Sequence, residues 1–488
     1  MFSLAGPQGP AEIRSMIVQR RRTITMGAAV FALLIAVPAC SSSRSGSDTG
    51  PGQATSANAA ATGAASTANF GTLASPCGKG AAKGATDQGV TDSSISIGYG
   101  DDRGFASQPG LNKEIGDAVK GMIKWCNDQG GINGRTLNGN FYDAAITQVN
   151  TAMTKACKSD FMLVGEGWAG DEGSEQTRIA CKLPAVPAYT VGPDFANAPM
   201  MYQAIPNPVD YQPASGWYQM AKQFPDVTSG AGFMNNTLPA TQATIAKLMP
   251  TAQAAGYKTL DCGVTLNYTG EPNYVPFAQK FKDCGAKIVY APNPGPQLNG
   301  MLAAMNQVGA RPKYLMQANG YTTDFAQSNG AGLADDVYVQ AATQPLENAG
   351  AVPAVKQYVD VVAAVQGKTG VLGEQAASSF LLWANAAKTC GSTLTRQCMV
   401  NNLAKTHDWT GGGLHASTDP GGNLPPSCGL LLKLDKTKWT QAFPATQAEF
   451  QCDPSYRFKT PASTYGTTLN PDRIATKFLT PDVIKPQA

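Results

Sequence analysis

The chain has 488 residues, 43% hydrophobic and 15% charged, with a formal net charge of +3. That supplies apolar residues for two or three domains and excludes a charged helical array or a disordered chain. The positive excess lies in residues 1–39, where Arg14, Arg20, Arg21 and Arg22 outweigh Glu12. The remainder is formally neutral, so nothing favours a nucleic-acid partner.

The first predicted element is an export signal over 1–39. Arg20–Arg22 form its basic part, Met26–Val37 its apolar run, and small residues lead to Cys40. The run is shorter than the about 20 residues that span a bilayer. Val37-Pro38-Ala39-Cys40 resembles the lipobox of bacterial lipoproteins. That resemblance implies cleavage before Cys40, a lipid on its thiol and a place on the extracytoplasmic face of the cell membrane. Residues 40–76 are rich in Ser, Gly and Ala and read as a flexible tether. Ten further cysteines follow Cys40, and export to an oxidising compartment lets them pair. There is no Cys-x-x-Cys, and the only histidines are His407 and His415, so neither a metal nor another cofactor is expected.

Strands and helices then alternate. "SISIGYG" predicts a strand, "LNKEIGDAVKGMIKWCNDQGG" a helix, "TLNGNFYDAA" a strand, "TQVNTAMTKACKSD" a helix, "FMLVGEG" a strand, "SEQTRIACKL" a helix and "PAVPAYT" a strand. After "YQAIPNPVDY" the pattern restarts with "PASGWYQMAKQF" and runs through strands at "SGAGFMNN", "KTLDCGVTLNYT", "AKIVYAPN" and "KYLMQANGY". Helices follow near Val352–Gly367 and Glu374–Cys390, then a hairpin in "SCGLLLKLDKTKWTQAF". Such alternation predicts parallel sheets with helices on both faces.

Three segments in this order resemble the type I periplasmic solute-binding proteins, in the leucine/isoleucine/valine-binding branch that serves ABC importers. They are "IGDAVKGMIKWCNDQGGINGRTLNGNFYDAA", "NYVPFAQKFKDCGAKIVYAPNPGPQLNGMLAAMNQVGARPKYL" and "GGGLHASTDPGGNLPPSCGLLLKLDKTKW". The resemblance implies an α/β fold of two doubly wound parallel-sheet lobes joined by three crossover hinge segments. Lobe I is expected over 91–203 plus 346–412, lobe II over 206–342 plus 418–460, and a C-terminal tail over 461–488. Hinges are expected at Ala204–Pro208, Ala341–Pro345 and Gly411–Pro420. The disulfide pairing cannot be read from the sequence alone. The implied topology suggests Cys77 with Cys126, Cys157 with Cys181, Cys262 with Cys284, Cys390 with Cys398, and Cys428 with Cys452.

Ligands of open α/β sheets sit beyond the carboxyl ends of strands. The candidates there are Arg103, Phe105, Trp168, Tyr189, Thr190, Asn235, Asn236, Asn293 and Asn319, with Tyr268 and Tyr321 nearby. Asp101 and Asp102 read as a solvated turn. Where amino-acid binders of the family carry a Ser-rich turn, this chain has Glu166-Gly167-Trp168; where they carry an acid, it has Asn319. Both departures point to a neutral or differently charged small solute, amino-acid-like, amide or otherwise polar, with Trp168 stacking on it. The implied partners are that solute and a membrane ABC permease, and a monomer is expected. A rival hydrolase reading finds no Gly-x-Ser-x-Gly, His-Glu-x-x-His or P-loop, leaving only Glu166 with Asp171 as a carboxylate pair. A sensor lipoprotein without transport is the other alternative.

Overall fold

The computed structural model describes residues 69–487. The expected export signal, Cys40 and the expected tether up to residue 68 lie outside the described residues.

The first lobe is built on β1 (Ser94–Asp101), α1 (Lys113–Asp128), β2 (Thr136–Asp143), α2 (Val149–Ser159), β3 (Met162–Val164), α3 (Glu175–Ala180) and β4 (Ala185–Val186). Its four strands are all parallel, in the order β2-β1-β3-β4. Strand alternation sorts the side chains between two layers. Ile95, Ile97, Tyr99, Met162, Val164 and Val186 face one core, whereas Leu163 and Ala185 face the other. Gly100 in β1 has no room for a side chain, because a Cβ there would lie 1.9 Å from the Tyr142 carbonyl oxygen.

The "GGINGR" turn after α1 owes its shape to backbone freedom and one buried cation. Gly130, Gly131 and Gly134 have φ of 108°, 76° and 86°, a region costly for other residues. Arg135 then donates to the carbonyls of Thr91, Gly391 and Gly84 at 2.9–3.0 Å. The turn therefore fastens three distant parts of the lobe.

The second lobe follows with α4 (Ser215–Gln223), β5 (Ala231–Phe233), α5 (Pro239–Ala254), α6 (Val275–Asp283), β6 (Ile288–Tyr290), α7 (Pro296–Gln307), β7 (Lys313–Met316), α8 (Thr323–Ser328) and β8 (Val337–Ala341). The chain returns to the first lobe for α9 (Pro353–Ala363), α10 (Val371–Cys390) and α11 (Arg396–Ala404), then adds β9 (Cys428–Asp435) and β10 (Lys438–Phe443) to the second. The second sheet runs β5-β6-β7-β8-β9-β10, parallel through β8 and antiparallel beyond. Alternation again divides it: Val289, Met316, Val339 and Leu432 face α7, while Tyr290, Leu315, Tyr338 and Leu431 face α4 and α5.

Three expectations change here. "KTLDCGVTLNYT" is not a strand of the main sheet: Thr259 makes a single bridge to Ala231, and Thr265–Leu266 pairs only with Asn235–Asn236. Cys262 within it is instead tied to Cys284. The expected tether does not extend to residue 76, because Phe70, the first large apolar residue after Cys40, is fully buried in the first lobe against Trp125, ring centroids 5.6 Å apart. The tail after residue 460 is not loose. Val483 is buried in the first lobe, Phe478, Leu479 and Ile484 pack against it, and the Ala475 N–H donates to Asn197 O at 2.8 Å.

The structure also joins Cys77 to Cys126, Cys157 to Cys181, Cys390 to Cys398 and Cys428 to Cys452. Substituting Phe70→Ala should lower the unfolding free energy by about 3–5 kcal/mol, read by urea denaturation. An unchanged midpoint would return residues 69–76 to the tether.

Candidate functional site

Three crossovers join the lobes, and hydrogen bonds knit them together. The Ala416 N–H donates to Ala342 O and the Gln344 N–H to Leu414 O, each at 2.8 Å. The Thr418 hydroxyl donates to Ala204 O at 2.6 Å, tying in the first crossover. His415 clamps the third crossover to α10. Its Nε2 lies 2.7 Å from Ser378 Oγ, and its Nδ1 lies 2.8 Å from Ala416 O. That carbonyl can only accept, so the ring proton is on Nδ1, and Nε2 accepts from the serine. Burial pushes the His415 pKa down to about 4. Ser378 and His415 are buried and do not line the cleft, so the pair acts as a strut. His407, the other histidine, sits exposed beside Asp419 at 2.6 Å.

Above the crossovers lies a cleft with a cavity of about 300 Å³. Its walls combine apolar side chains with amides and hydroxyls, as small-molecule sites do. Phe105, Tyr189 and Thr190 reach it from the first lobe, and Asn236, Tyr268, Asn293 and Asn319 from the second. Phe105 and Tyr268 stack across its mouth, centroids 6.3 Å apart and planes 16° from parallel. Lys368 and Asp324 pair across the lobes at 2.7 Å.

A polar network fixes the cleft base. Thr190 Oγ1 donates to Gln203 Oε1 at 3.1 Å, Gln203 Nε2 to Ala188 O at 3.2 Å, and Asn207 Nδ2 to Thr190 O at 2.9 Å. The buried Lys247 supports Asn207 from behind, its Nζ 3.3 Å from Asn207 Oδ1, and burial lowers its pKa to about 8. On the other lobe, Asn319 Nδ2 donates to Pro292 O at 2.8 Å and to Asn293 Oδ1 at 3.1 Å. Asn112 Nδ2 donates to Tyr189 Oη at 2.9 Å and orients that ring. Burial holds the Tyr189 phenol well above its usual range, hence neutral.

Three expected cleft residues lie elsewhere. Trp168 is 1% exposed in the core between β3 and α2, its indole N–H aimed at Tyr142 O at 3.4 Å. Arg103 folds back onto Asp101 at 2.6 Å and Asp117 at 3.1 Å, because the buried Asp101 carboxylate needs a counter-charge. Asn235 precedes Asn236 in a strand, so alternation turns it away; its Oδ1 accepts from the Asn236 N–H at 2.9 Å. Tyr321 is also withdrawn, buried against Trp439.

The strand-end acids act behind the wall. Asp101 and Asp102 are fully buried, not a solvated turn. Asp102 accepts the N–H groups of Ile146 and Ala169, each at 2.7 Å, and both residues line the cleft. Asp171 accepts those of Val191 and Gly192 at 2.8 and 2.6 Å, fixing the loop that carries Tyr189 and Thr190. Asp171 is thus occupied by backbone and Glu166 is sealed in the first lobe, so the pair named for the rival hydrolase reading does not line the cleft. Sequence reasoning missed Gln203, Gln212, Gln317, Gln340 and Thr343 of the lining. They lie on crossovers, the adjoining short strand and the second sheet, where no turn motif marks them.

Glu166 is fully buried, and neither carboxylate oxygen has a hydrogen-bond partner among the described residues. Burial pushes its pKa up to about 8. The folded chain therefore keeps the proton that the unfolded chain releases above its lower pKa, so stability falls as pH rises between these values. The loss is at most about 1.4 kcal/mol per pH unit from this group. Glu166→Gln should remove it, so that urea midpoints of variant and parent diverge steadily from about pH 5 to pH 8. Parallel midpoints would show Glu166 to be solvated or paired.

Comparison with curated protein sequences returns no match. A family model described as periplasmic binding protein matches residues 94–438, well over half of the chain. Among solved structures, the fold is similar to that of a fatty acid ABC transporter substrate-binding protein from Thermomonospora curvata. That pair is 13% identical with a TM-score of 0.62, covering 77% of this chain and 97% of the other. It is also similar to a leucine-binding protein from Thermotoga maritima, at 11% identity and TM-score 0.59 over 71% of this chain and 97% of that one. A branched-chain amino acid transporter substrate-binding protein from Streptococcus pneumoniae, solved with isoleucine, gives 14% identity and TM-score 0.56, with coverage of 71% and 97%. The two-lobed α/β architecture and the length of the family match agree: the chain belongs to the periplasmic binding protein family, of the type I fold, whose members are extracytoplasmic substrate-binding proteins.

Proposed function

We propose that this protein is a lipid-anchored extracytoplasmic solute-binding protein that captures a small molecule by hinge closure and delivers it to an ABC importer. The observation that carries this reading is the cleft itself, enclosed between two lobes that are joined by paired crossovers and touch at its mouth. Hinge closure around a ligand suits this arrangement. An exposed ion pair such as Lys368–Asp324 is worth about 1 kcal/mol or less, so it can open and reform. Phe105, Tyr189, Thr190, Tyr268, Asn236, Asn293 and Asn319 are the proposed contacts, rings covering the solute and amides orienting it. The export signal and Cys40 support anchorage, and the protein is proposed to act as a monomer without catalysis.

Thermal-shift screening against amino acids, amides, polyamines, sugars and aromatic acids tests capture. A solute at 100-fold excess over Kd should stabilise the fold by about 2.7 kcal/mol. X-ray scattering should show a smaller radius of gyration with the solute than without. Tyr189→Ala and Asn236→Ala should each weaken binding about tenfold or more, one from each lobe. Turnover of the bound solute, or binding with no compaction, would defeat the reading. Mass spectrometry of the mature N-terminus should find acylated Cys40.

A further inference from the structure

The cleft has an unusual electrostatic character for a small-molecule site. No Asp, Glu, Lys, Arg or His lines it among the described residues. The nearest cation of the base network, Lys247, stands behind Asn207, is buried, and is occupied by Asn207 Oδ1 and Pro208 O at 3.3 Å each. Behind the walls, Asp102 and Asp171 are committed to backbone N–H groups, Asp101 to Arg103, and the buried Glu114 and Glu374 do not line the cleft. A carboxylate or ammonium brought into this cleft loses its hydration and meets no opposite charge on the lining, which is unfavourable.

Two lining atoms lack what every other buried polar group of the base network has. Gln212 Oε1 and Thr343 Oγ1 are buried and have no hydrogen-bond partner among the described residues. Gln212 follows the first crossover, and Thr343 lies on the second. Buried polar atoms are nearly always paired, and a ligand group in the adjoining cleft can supply the partner that each of these two lacks. Gln212 Oε1 can only accept, so it requires an N–H or O–H; the Thr343 hydroxyl can donate or accept. Leu111, Ile146, Val191, Ile205 and Leu372 supply apolar wall.

We propose that the cleft takes an uncharged solute, with an N–H or O–H donor directed to Gln212 Oε1 and an apolar body. This rests on the solute-capture reading above. The test is calorimetry and thermal shift of the mature chain against matched sets, each a carboxylic acid, its primary amide and its α-amino acid, plus neutral alcohols and polyols. An uncharged member should bind at least about tenfold more tightly than its charged counterparts. Gln212→Leu and the near-isosteric Thr343→Val should each weaken that binding about tenfold, with unliganded melting unchanged in at least the second. A carboxylate or amino acid binding as tightly as its amide overturns the ligand class while capture stands. Unaltered affinity in both variants overturns the assignment of the two atoms. No shift with any member, charged or uncharged, overturns this inference and the capture reading together.

Discussion

The structure depends on one constraint: three strands of backbone must pass between two separately cored lobes without leaving polar groups stranded. Each lobe satisfies its own core by strand alternation, but the crossovers belong to neither sheet. They solve the problem by pairing with one another, Ala342 with Ala416, Gln344 with Leu414, and Thr418 with Ala204. The buried Ser378–His415 contact then fixes this layer to α10 of the first lobe. A neutral imidazole serves there because a charged one would be desolvated with no acid to pair with.

The same economy of charge governs the site. Buried carboxylates are plentiful in the first lobe, yet none of them lines the cleft. Asp102 and Asp171 shape the wall loops while presenting no charge to the cavity. The wall itself is left to amides, hydroxyls and aromatic rings.

The alternation of strand and helix was legible in the sequence because a parallel sheet buried on both faces imposes it on the residue pattern. Phe105, Tyr189, Thr190, Asn236, Asn293 and Asn319 could be placed near the cleft because strand ends converge there. Trp168 and Arg103 could not, because side-chain direction depends on neighbours distant in sequence. Trp168 fills space between β3 and α2, and Arg103 answers the charge of Asp101 and Asp117. Gln212 and Thr343 escaped notice for a related reason: nothing local marks a residue whose importance is the lack of a partner. The short ladder at Asn235–Asn236 misled in the opposite direction, since two adjacent amides in a strand cannot face the same way.

Both ends of the described chain settle on one lobe. Phe70 and Cys77 enter its core from the amino side, and Val483 returns to it from the carboxyl side. A pull on either terminus is therefore borne first by the first lobe. In the proposed hinge closure the first lobe is then the stator and the second the rotor.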